Sequence, residues 1–305
     1  MKILKSITHF YNKLSPFGKI LIFLAIILCL VVIFKSSKQG SYEGFIDNTK
    51  ILIKSGDAIY DDFYASVYDY LVFSEAKNNY EIGTIINSTN PTEQSRIADI
   101  GCGTGHHVNS LKNFNIIGID KSPSMIKEAK EKYPNSKFMV GDALDNGLFK
   151  SDSLTHILCM YFTIYYIKDK RHFFNNAIHW LMPGGYLIVH LVERETFDPI
   201  LPPGNPLYIV SPQKYSKERI TDTKVTFEDF IYTSKFGLDK DIATFDEKFK
   251  YNDGRVRKQQ QVLYMDDTAT IVNEAQDVGF ILQSKVDLVK CGYESQYLYI
   301  FEKPS

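Results

Sequence analysis

The chain has 305 residues, 44% of them apolar and 23% charged, a composition that excludes wholesale disorder. Its net charge of −1 is a cancellation: residues 1–40 hold six lysines and no acid, and the remaining 265 hold 29 basic and 36 acidic side chains. That acidic body carries no electrostatic footprint for sequence-independent nucleic-acid binding, so nucleic acid is not an expected partner.

The six lysines surround 15 consecutive apolar residues, 20–34. As a helix this run reaches about 22 Å, short of a hydrocarbon core of about 30 Å. Lys19 and Lys35 can snorkel toward opposite interfaces and lengthen the span. Residues 17–36 are therefore read as a single transmembrane helix, and residues 1–40 as anchor and tether. A cleaved signal peptide is the alternative, but Lys35-Ser36-Ser37-Lys38-Gln39 offers no small-x-small cleavage site. Four lysines before the run and two after it place the N-terminus in the cytosol and the body outside. Asn87-Ser88-Thr89 is one glycosylation sequon compatible with that orientation. The cysteines, Cys29, Cys102, Cys159 and Cys291, form no CxxC pair. They make neither a disulfide framework nor a zinc site, and they favour a reducing compartment.

Beyond the tether, Tyr60, Phe63, Tyr64, Val67, Tyr68 and Leu71 recur at helical spacing. A second short helix over 79–87 is stopped by Asn90-Pro91, giving an N-terminal helical segment over 41–95. A regular alternation follows over 96–193. Strands are expected at 96–100, 116–120, 137–140, 155–160 and 186–192. Between them, helices are expected from the glycine turn to about 113, at 123–132 and at 170–181. Ser122 is the N-cap of the second of these and Pro123 its first residue; Pro183-Gly184-Gly185 stops the third. This alternation predicts an α/β domain with a mostly parallel sheet covered on both faces. After Glu193 the period changes. Prolines 199, 202, 203 and 206 mark a loop, and 225–236, 241–251 and 255–265 read as strands, the last two joined by the hairpin signal Asn252-Asp253-Gly254. Residues 194–265 are thus an inserted antiparallel sheet. A helix over 268–276 and a hairpin, 281–288 with 296–301, return to the core over 266–305.

The informative segment is Asp99-Ile100-Gly101-Cys102-Gly103-Thr104-Gly105. A strand ends in an acid, a glycine turn follows, and a helix begins. Gly101 permits a tight turn and Gly103 a close ligand approach; the helix N-terminus offers free N–H groups. Asp120 ends the next strand, where a carboxylate can accept ribose hydroxyls, and Asp142 ends the third. A nicotinamide dinucleotide fits less well, since GxGxxG requires a glycine where His106 stands. The pattern suits a ligand with an amine, a carboxylate and a ribose but no phosphate. His106 and His107 diverge and make no metal site, and Cys102 is a small turn residue.

Residues 99–105, 116–120, Gly141-Asp142-Ala143 and Leu181-Met182-Pro183-Gly184-Gly185-Tyr186 together resemble class I S-adenosylmethionine-dependent methyltransferases. The likeness is closest to the type 11 or domain 25 small-molecule subgroup, over residues 60–193 and more weakly 266–305. The resemblance implies a Rossmann-like seven-stranded sheet with an antiparallel last strand, and S-adenosylmethionine as cofactor. It implies that Asp99 holds the methionine amino group and that Gly101, Cys102 and Gly103 line the methionine moiety. Asp120 would bind the ribose, with Lys121 and Met125 beside the adenosine. Asp142 and Ala143 would read the adenine, Met160 and Tyr161 would flank the methionine end, and Tyr64 would cover the cofactor. The implied reaction is in-line methyl transfer to a small-molecule or lipid-like acceptor. No catalytic residue is assigned, with Tyr161 and His190 as candidates, and no general base is required unless the acceptor must lose a proton. The segment Cys159-Met160-Tyr161-Phe162 lacks the Asn/Asp-Pro-Pro-aromatic motif of adenine or glutamine methylation. The inserted sheet is expected over the cofactor mouth. Cofactor supply places the catalytic domain in the cytosol, against the lysine bias. A tethered cofactor-binding scaffold without turnover is the alternative function.

Overall fold

The computed structural model describes residues 15–19, 25, 27, 51–204 and 211–305. Apart from that handful near the start, the expected membrane helix and tether lie outside the described residues. Among those described, no helix is long and apolar enough to cross a membrane. Met1–Asn48 and Thr49–Ser305 form separate units, and the second carries the fold that follows.

Local chemistry sets most element boundaries. After β1 (Ile51–Ser55), the Asp61 carboxylate accepts the Tyr64 N–H at 3.1 Å and starts α1 (Asp62–Val72). Ser74 caps α2 (Glu75–Thr89) in the same way, so this helix begins earlier than the expected residue 79. β2 (Arg96–Ile100) leads through the glycine turn into α3 (His106–Ser110). α3 stops short of residue 113, because a turn at Leu111 carries that side chain into the core. β3 (Asn115–Asp120) precedes α4 (Pro123–Lys132), where Ser122 Oγ accepts the Met125 N–H at 3.1 Å and Pro123 opens the first turn. β4 (Lys137–Val140), β5 (Leu154–Cys159), the single turn α5 (Thr163–Tyr166), α6 (Lys170–Trp180) and β6 (Leu181–Val192) complete the alternation.

The insertion holds four strands rather than the three expected. The stretch read as one strand over 225–236 is broken at the acidic pair Glu228-Asp229 into β7 (Asp222–Thr226) and β8 (Phe230–Asp239). β9 (Ile242–Tyr251) and β10 (Val256–Tyr264) follow. The chain closes with α7 (Thr268–Val278), ended by left-handed Gly279, then β11 (Ile281–Asp287) and β12 (Gln296–Glu302).

Two sheets result. The larger has the order β11-β12-β6-β5-β2-β3-β4, with β12 antiparallel to both neighbours. This is the Rossmann-like seven-stranded sheet with one reversed strand. The smaller has the order β1-β10-β9-β8-β7. β1 pairs in parallel with β10, so residues from before α1 complete the inserted sheet, a strand the sequence reading missed.

Each face has its own core. Phe173, Phe174 and Trp180 of α6 are fully buried against one face of the large sheet, and Ile85, Val108 and Ile126 pack on the other. α1 packs against the inner face of the small sheet through Tyr64, Val67, Phe230, Tyr232 and Phe249. One buried cation fixes this last contact. Arg257, 2% exposed, donates from Nη1 to both Asp61 oxygens at 2.8 Å, from Nη2 to the Ile59 carbonyl at 2.7 Å and from Nε to Gln259 Oε1 at 2.7 Å.

Removing one partner of a buried pair costs about 3–5 kcal/mol. Asp61 keeps partial solvent access, so Arg257→Ala should cost about 2–3 kcal/mol. Urea unfolding checks this as a lower midpoint at unchanged slope.

Candidate active site

The carboxyl ends of β2, β3 and β5 converge on the glycine turn. Gly101 (φ 68°) and Gly103 (φ 53°) occupy the left-handed region. A Cβ on Gly101 would collide with the Thr163 side chain, whereas one on Gly103 would project toward Tyr68, 3.7 Å away. Asp120 holds the turn in place. One of its oxygens accepts the Gly103 N–H at 2.9 Å and the other the Ser122 N–H at 2.8 Å. Burial raises the Asp120 pKa, opposed by these two donors.

Asp99 sits beside it in the opposite condition. It is 1% exposed, and neither carboxylate oxygen has a hydrogen-bond partner among the described residues. Burial pushes its pKa up to about 7, with help from Asp120 and Glu81 and against the pull of His107. An orphaned buried carboxylate is costly unless something else binds there.

The cleft over these acids is lined by Asp99, Gly101, Cys102, Gly103, Met160 and Tyr161, together with α1 and α2 residues the sequence reading did not select. Those are Tyr68, Asp69, Val72, Lys77, Asn78 and Glu81. Glu81 accepts Lys77 Nζ at 2.5 Å and lies 3.0 Å from His107 Nε2. Burial raises its pKa, but Lys77 and His107 outweigh that and hold it at about 2. Asp69 accepts Thr104 Oγ1 at 2.5 Å and lies 2.8 Å from His106 Nε2, so α1 is latched to the end of the turn. His106 thus partners the half-buried Asp69 and His107 the buried Glu81.

The other candidates divide. Lys121 bridges Asp57 at 3.0 Å and Asp142 at 3.4 Å, and Asp142 accepts the Leu144 N–H at 2.9 Å while its side chain stays 43% exposed. The Ala143 carbonyl accepts from Asn176. Met125 is buried beneath α1, not open to the cleft. Tyr64 is also displaced from its expected place. It lines a second cavity, and the α1 residue facing the glycine turn is Tyr68, one turn later.

Tyr161 carries a positive φ of 52°. For a bulky residue that conformation stores about 1–3 kcal/mol, and it persists only where the surroundings impose it. His190 imposes it here, with Nδ1 2.7 Å from the Tyr161 carbonyl and its ring stacked on that of Tyr161. Burial, then Lys77, push the His190 pKa down to about 3, and the residue lines neither the cleft nor the cavity. It positions Tyr161, in place of the basic role suggested from sequence.

The second cavity adjoins the cleft, and Tyr68, Val72 and Tyr161 line both. Its remaining walls come from α1, the 197–202 loop and the inner face of the small sheet. Glu247 is buried there, accepting Tyr232 Oη at 2.6 Å, Tyr64 Oη at 3.1 Å, Gln259 Nε2 at 2.7 Å and Gln261 Nε2 at 2.5 Å. The sequence did carry a signal: Ala243, Phe245, Glu247 and Phe249 alternate along one face of β9, so a carboxylate stands among apolar positions.

Residues 97–185 match the family model described as a methyltransferase domain. The putative methyltransferase 235L of Invertebrate iridescent virus 6 is 35% identical over 121 residues, 36% of this chain and 44% of that protein. The ubiquinone/menaquinone biosynthesis C-methyltransferase UbiE of Campylobacter jejuni is 36% identical over 110 residues, 33% of this chain and 46% of that one. The chain therefore spans under half the length of either relative. Among solved structures, an S-adenosylmethionine-dependent methyltransferase from Clostridium acetobutylicum superposes with a TM-score of 0.60 at 18% identity, over 80% of this chain and 99% of that one. The CcbJ methyltransferase from Streptomyces caelestis gives 0.59 at 16%, over 82% and 100%. The fold is that of the S-adenosylmethionine-dependent methyltransferases.

Asp99 also makes a prediction about stability. Its folded pKa, about 7, lies above the ordinary 3.8, so the folded state binds more protons between these values. Stability of the ligand-free protein then falls as pH rises through that window. Asp99→Asn should remove this slope and stabilise the protein at pH 8 by up to about 4 kcal/mol, with little change near pH 4. Urea unfolding at the two pH values measures the difference.

Proposed function

We propose that the chain is an S-adenosylmethionine-dependent methyltransferase acting on a small-molecule or lipid-like acceptor. The observation that carries this is the unpartnered, buried Asp99 carboxylate beside a glycine turn held by Asp120. The residues present fit the cofactor. Asp99 supplies an acceptor for its ammonium, Gly101 and Gly103 leave room for its methionine portion, and Met160 lies alongside. Asp120 offers its carboxylate to ribose hydroxyls, and Asp142 with the Ala143 backbone stands at the adenine end. When bound, the cofactor supplies an activated methyl group on a sulfonium.

The chain's own contribution is placement. Tyr68 and Tyr161 stand at the junction between cleft and cavity, between the places this reading gives to cofactor and acceptor. Alignment of reactants held on either side can lower a barrier by several kcal/mol without a catalytic base. His190, through the Tyr161 carbonyl, keeps one wall of that junction in a fixed orientation.

Residues 17–36 form a single-pass anchor in this reading, with Lys19 and Lys35 at opposite interfaces. The catalytic unit faces the cytosol, where the cofactor is made. The sequon does not argue otherwise, since Thr89 is buried in the last turn of α2 and donates to the Ile85 carbonyl.

Calorimetry with S-adenosylhomocysteine tests the first claim. Binding is expected, and Asp120→Ala should weaken it about tenfold or more, close to 1.4 kcal/mol. No binding, or full binding by Asp120→Ala, would overturn the assignment. For the anchor, the full chain should stay with membranes through alkaline carbonate, and removal of residues 1–40 should release it. Protease added to sealed, cytosol-side-out membranes should digest the body; protection would put it on the other side.

A further inference from the structure

The second cavity has a charge pattern of its own. Two carboxylates, Glu247 and Asp198, line it together with Gln261, Gln296 and a set of aromatic rings, and no lysine, arginine or histidine is among its described lining residues. The cations beside its walls have hydrogen-bond partners of their own and lie over four of its rings, Lys77 over Tyr161 and Tyr293 and Arg219 over Phe197 and Phe236, which leaves Glu247 without a cationic partner. Lys77 is paired with Glu81 and faces the neighbouring cleft. Arg219 donates to the Arg194 and Phe197 carbonyls, and Arg257 to Asp61.

The hydrogen bonds around Glu247 fix its role as an acceptor. Gln259 Oε1 receives the Arg257 Nε–H, and a guanidinium can only donate, so the Gln259 amide must present its N–H to Glu247. Gln261 Nε2 also donates to Glu247, while its Oε1 accepts the hydroxyls of Tyr60 and Tyr166. All four donors on Glu247 are neutral. They replace water around the carboxylate without cancelling its charge. A glutamine there would avoid the several kcal/mol of burying an ion. Burial raises the Glu247 pKa against the pull of these donors, and a cation beside the anion would be favoured strongly over short distances in a low dielectric. Tyr64, Tyr166, Phe162 and Phe245 add ring faces to the same space, surfaces that attract cations.

We propose that this cavity binds an organic cation, so that the acceptor is a compound carrying an ammonium group, held by Glu247 and the surrounding rings. Calling the occupant an acceptor rests on the methyl-transfer reading of the adjoining cleft; the cation site itself does not. Anionic acceptors are disfavoured by the same two carboxylates.

The test uses the full chain saturated with S-adenosylhomocysteine, with choline and its neutral carbon analogue as probes, each titrated by calorimetry or ligand-observed NMR. Choline should bind about tenfold more tightly than the analogue. Glu247→Gln should reduce that preference to about threefold or less while S-adenosylhomocysteine affinity is unchanged. Equal affinity for the two probes, no choline binding, or a preference that survives Glu247→Gln would overturn the proposal. If Glu247→Gln does not fold, Tyr166→Leu at the cavity edge serves instead, with choline affinity expected to drop about threefold from loss of one ring; unchanged affinity would count against the site. If S-adenosylhomocysteine fails to bind, the methyl-transfer reading falls alone. The two probes are then titrated against the unloaded chain, where the same preference would sustain the cation site and its absence would end it.

Discussion

The bond between Arg257 and Asp61 is the constraint on which the rest of the site depends. Asp61 does two things at once, capping α1 through the Tyr64 N–H and receiving the Arg257 guanidinium. The helix start is thereby pinned to a particular residue of β10. Everything α1 carries follows from that: Tyr64 over Glu247, Tyr68 over the glycine turn, and Asp69 against Thr104 and His106. The guanidinium also orients Gln259, one of the four donors that surround Glu247. One buried cation thus sets both the lateral position of a helix and the polarity of a cavity some distance along it.

The acids at the sheet edge illustrate how differently one side chain can be used. Asp120 spends its oxygens on backbone N–H groups and so stiffens the turn that a ligand must approach. Asp99, on the adjacent strand, has no such partners and is kept in an environment that resists its ionisation. Glu81 is buried as fully as Asp99, yet Lys77 and His107 keep it charged. Burial is common to all three; the partners decide the outcome. A site that leaves one of three acids unmet concentrates its binding energy at that position, at a cost to the empty protein.

Much of this was legible in the chain. Ser122 and Pro123 announced α4 to the residue, and Asp99, the glycine turn, Asp120 and Asp142 marked three successive strand ends. Those signals are local: a cap, a turn and a short apolar strand are written in neighbouring residues. β1 was missed because Ile51–Ser55 has no local partner; its strand, β10, lies some two hundred residues later in the chain. Tyr64, and not Tyr68, was read as the aromatic over the cofactor for a related reason. Both sit on the same apolar stripe, and only the docking of Asp61 on Arg257 says which of them meets the turn. Glu247 broke the apolar alternation of β9, which was visible, but its partners come from α1, β8 and β10. His190 looked like a base in sequence because a strand-end histidine near a cleft usually could be one; its complete burial in β6 is a property of the sheet stack above it.

The raised pKa of Asp99 has a consequence for ligand capture. Near or below neutral pH a large share of the empty protein carries a proton on that carboxyl, and a cationic group can be received only by its anion. Capture of an ammonium at Asp99 is therefore also the expulsion of a proton to solvent. The two positive charges compete for one pair of oxygens, so acidification acts on this cleft as a competitor of the ligand would, and occupancy of the site becomes coupled to the acidity of its compartment.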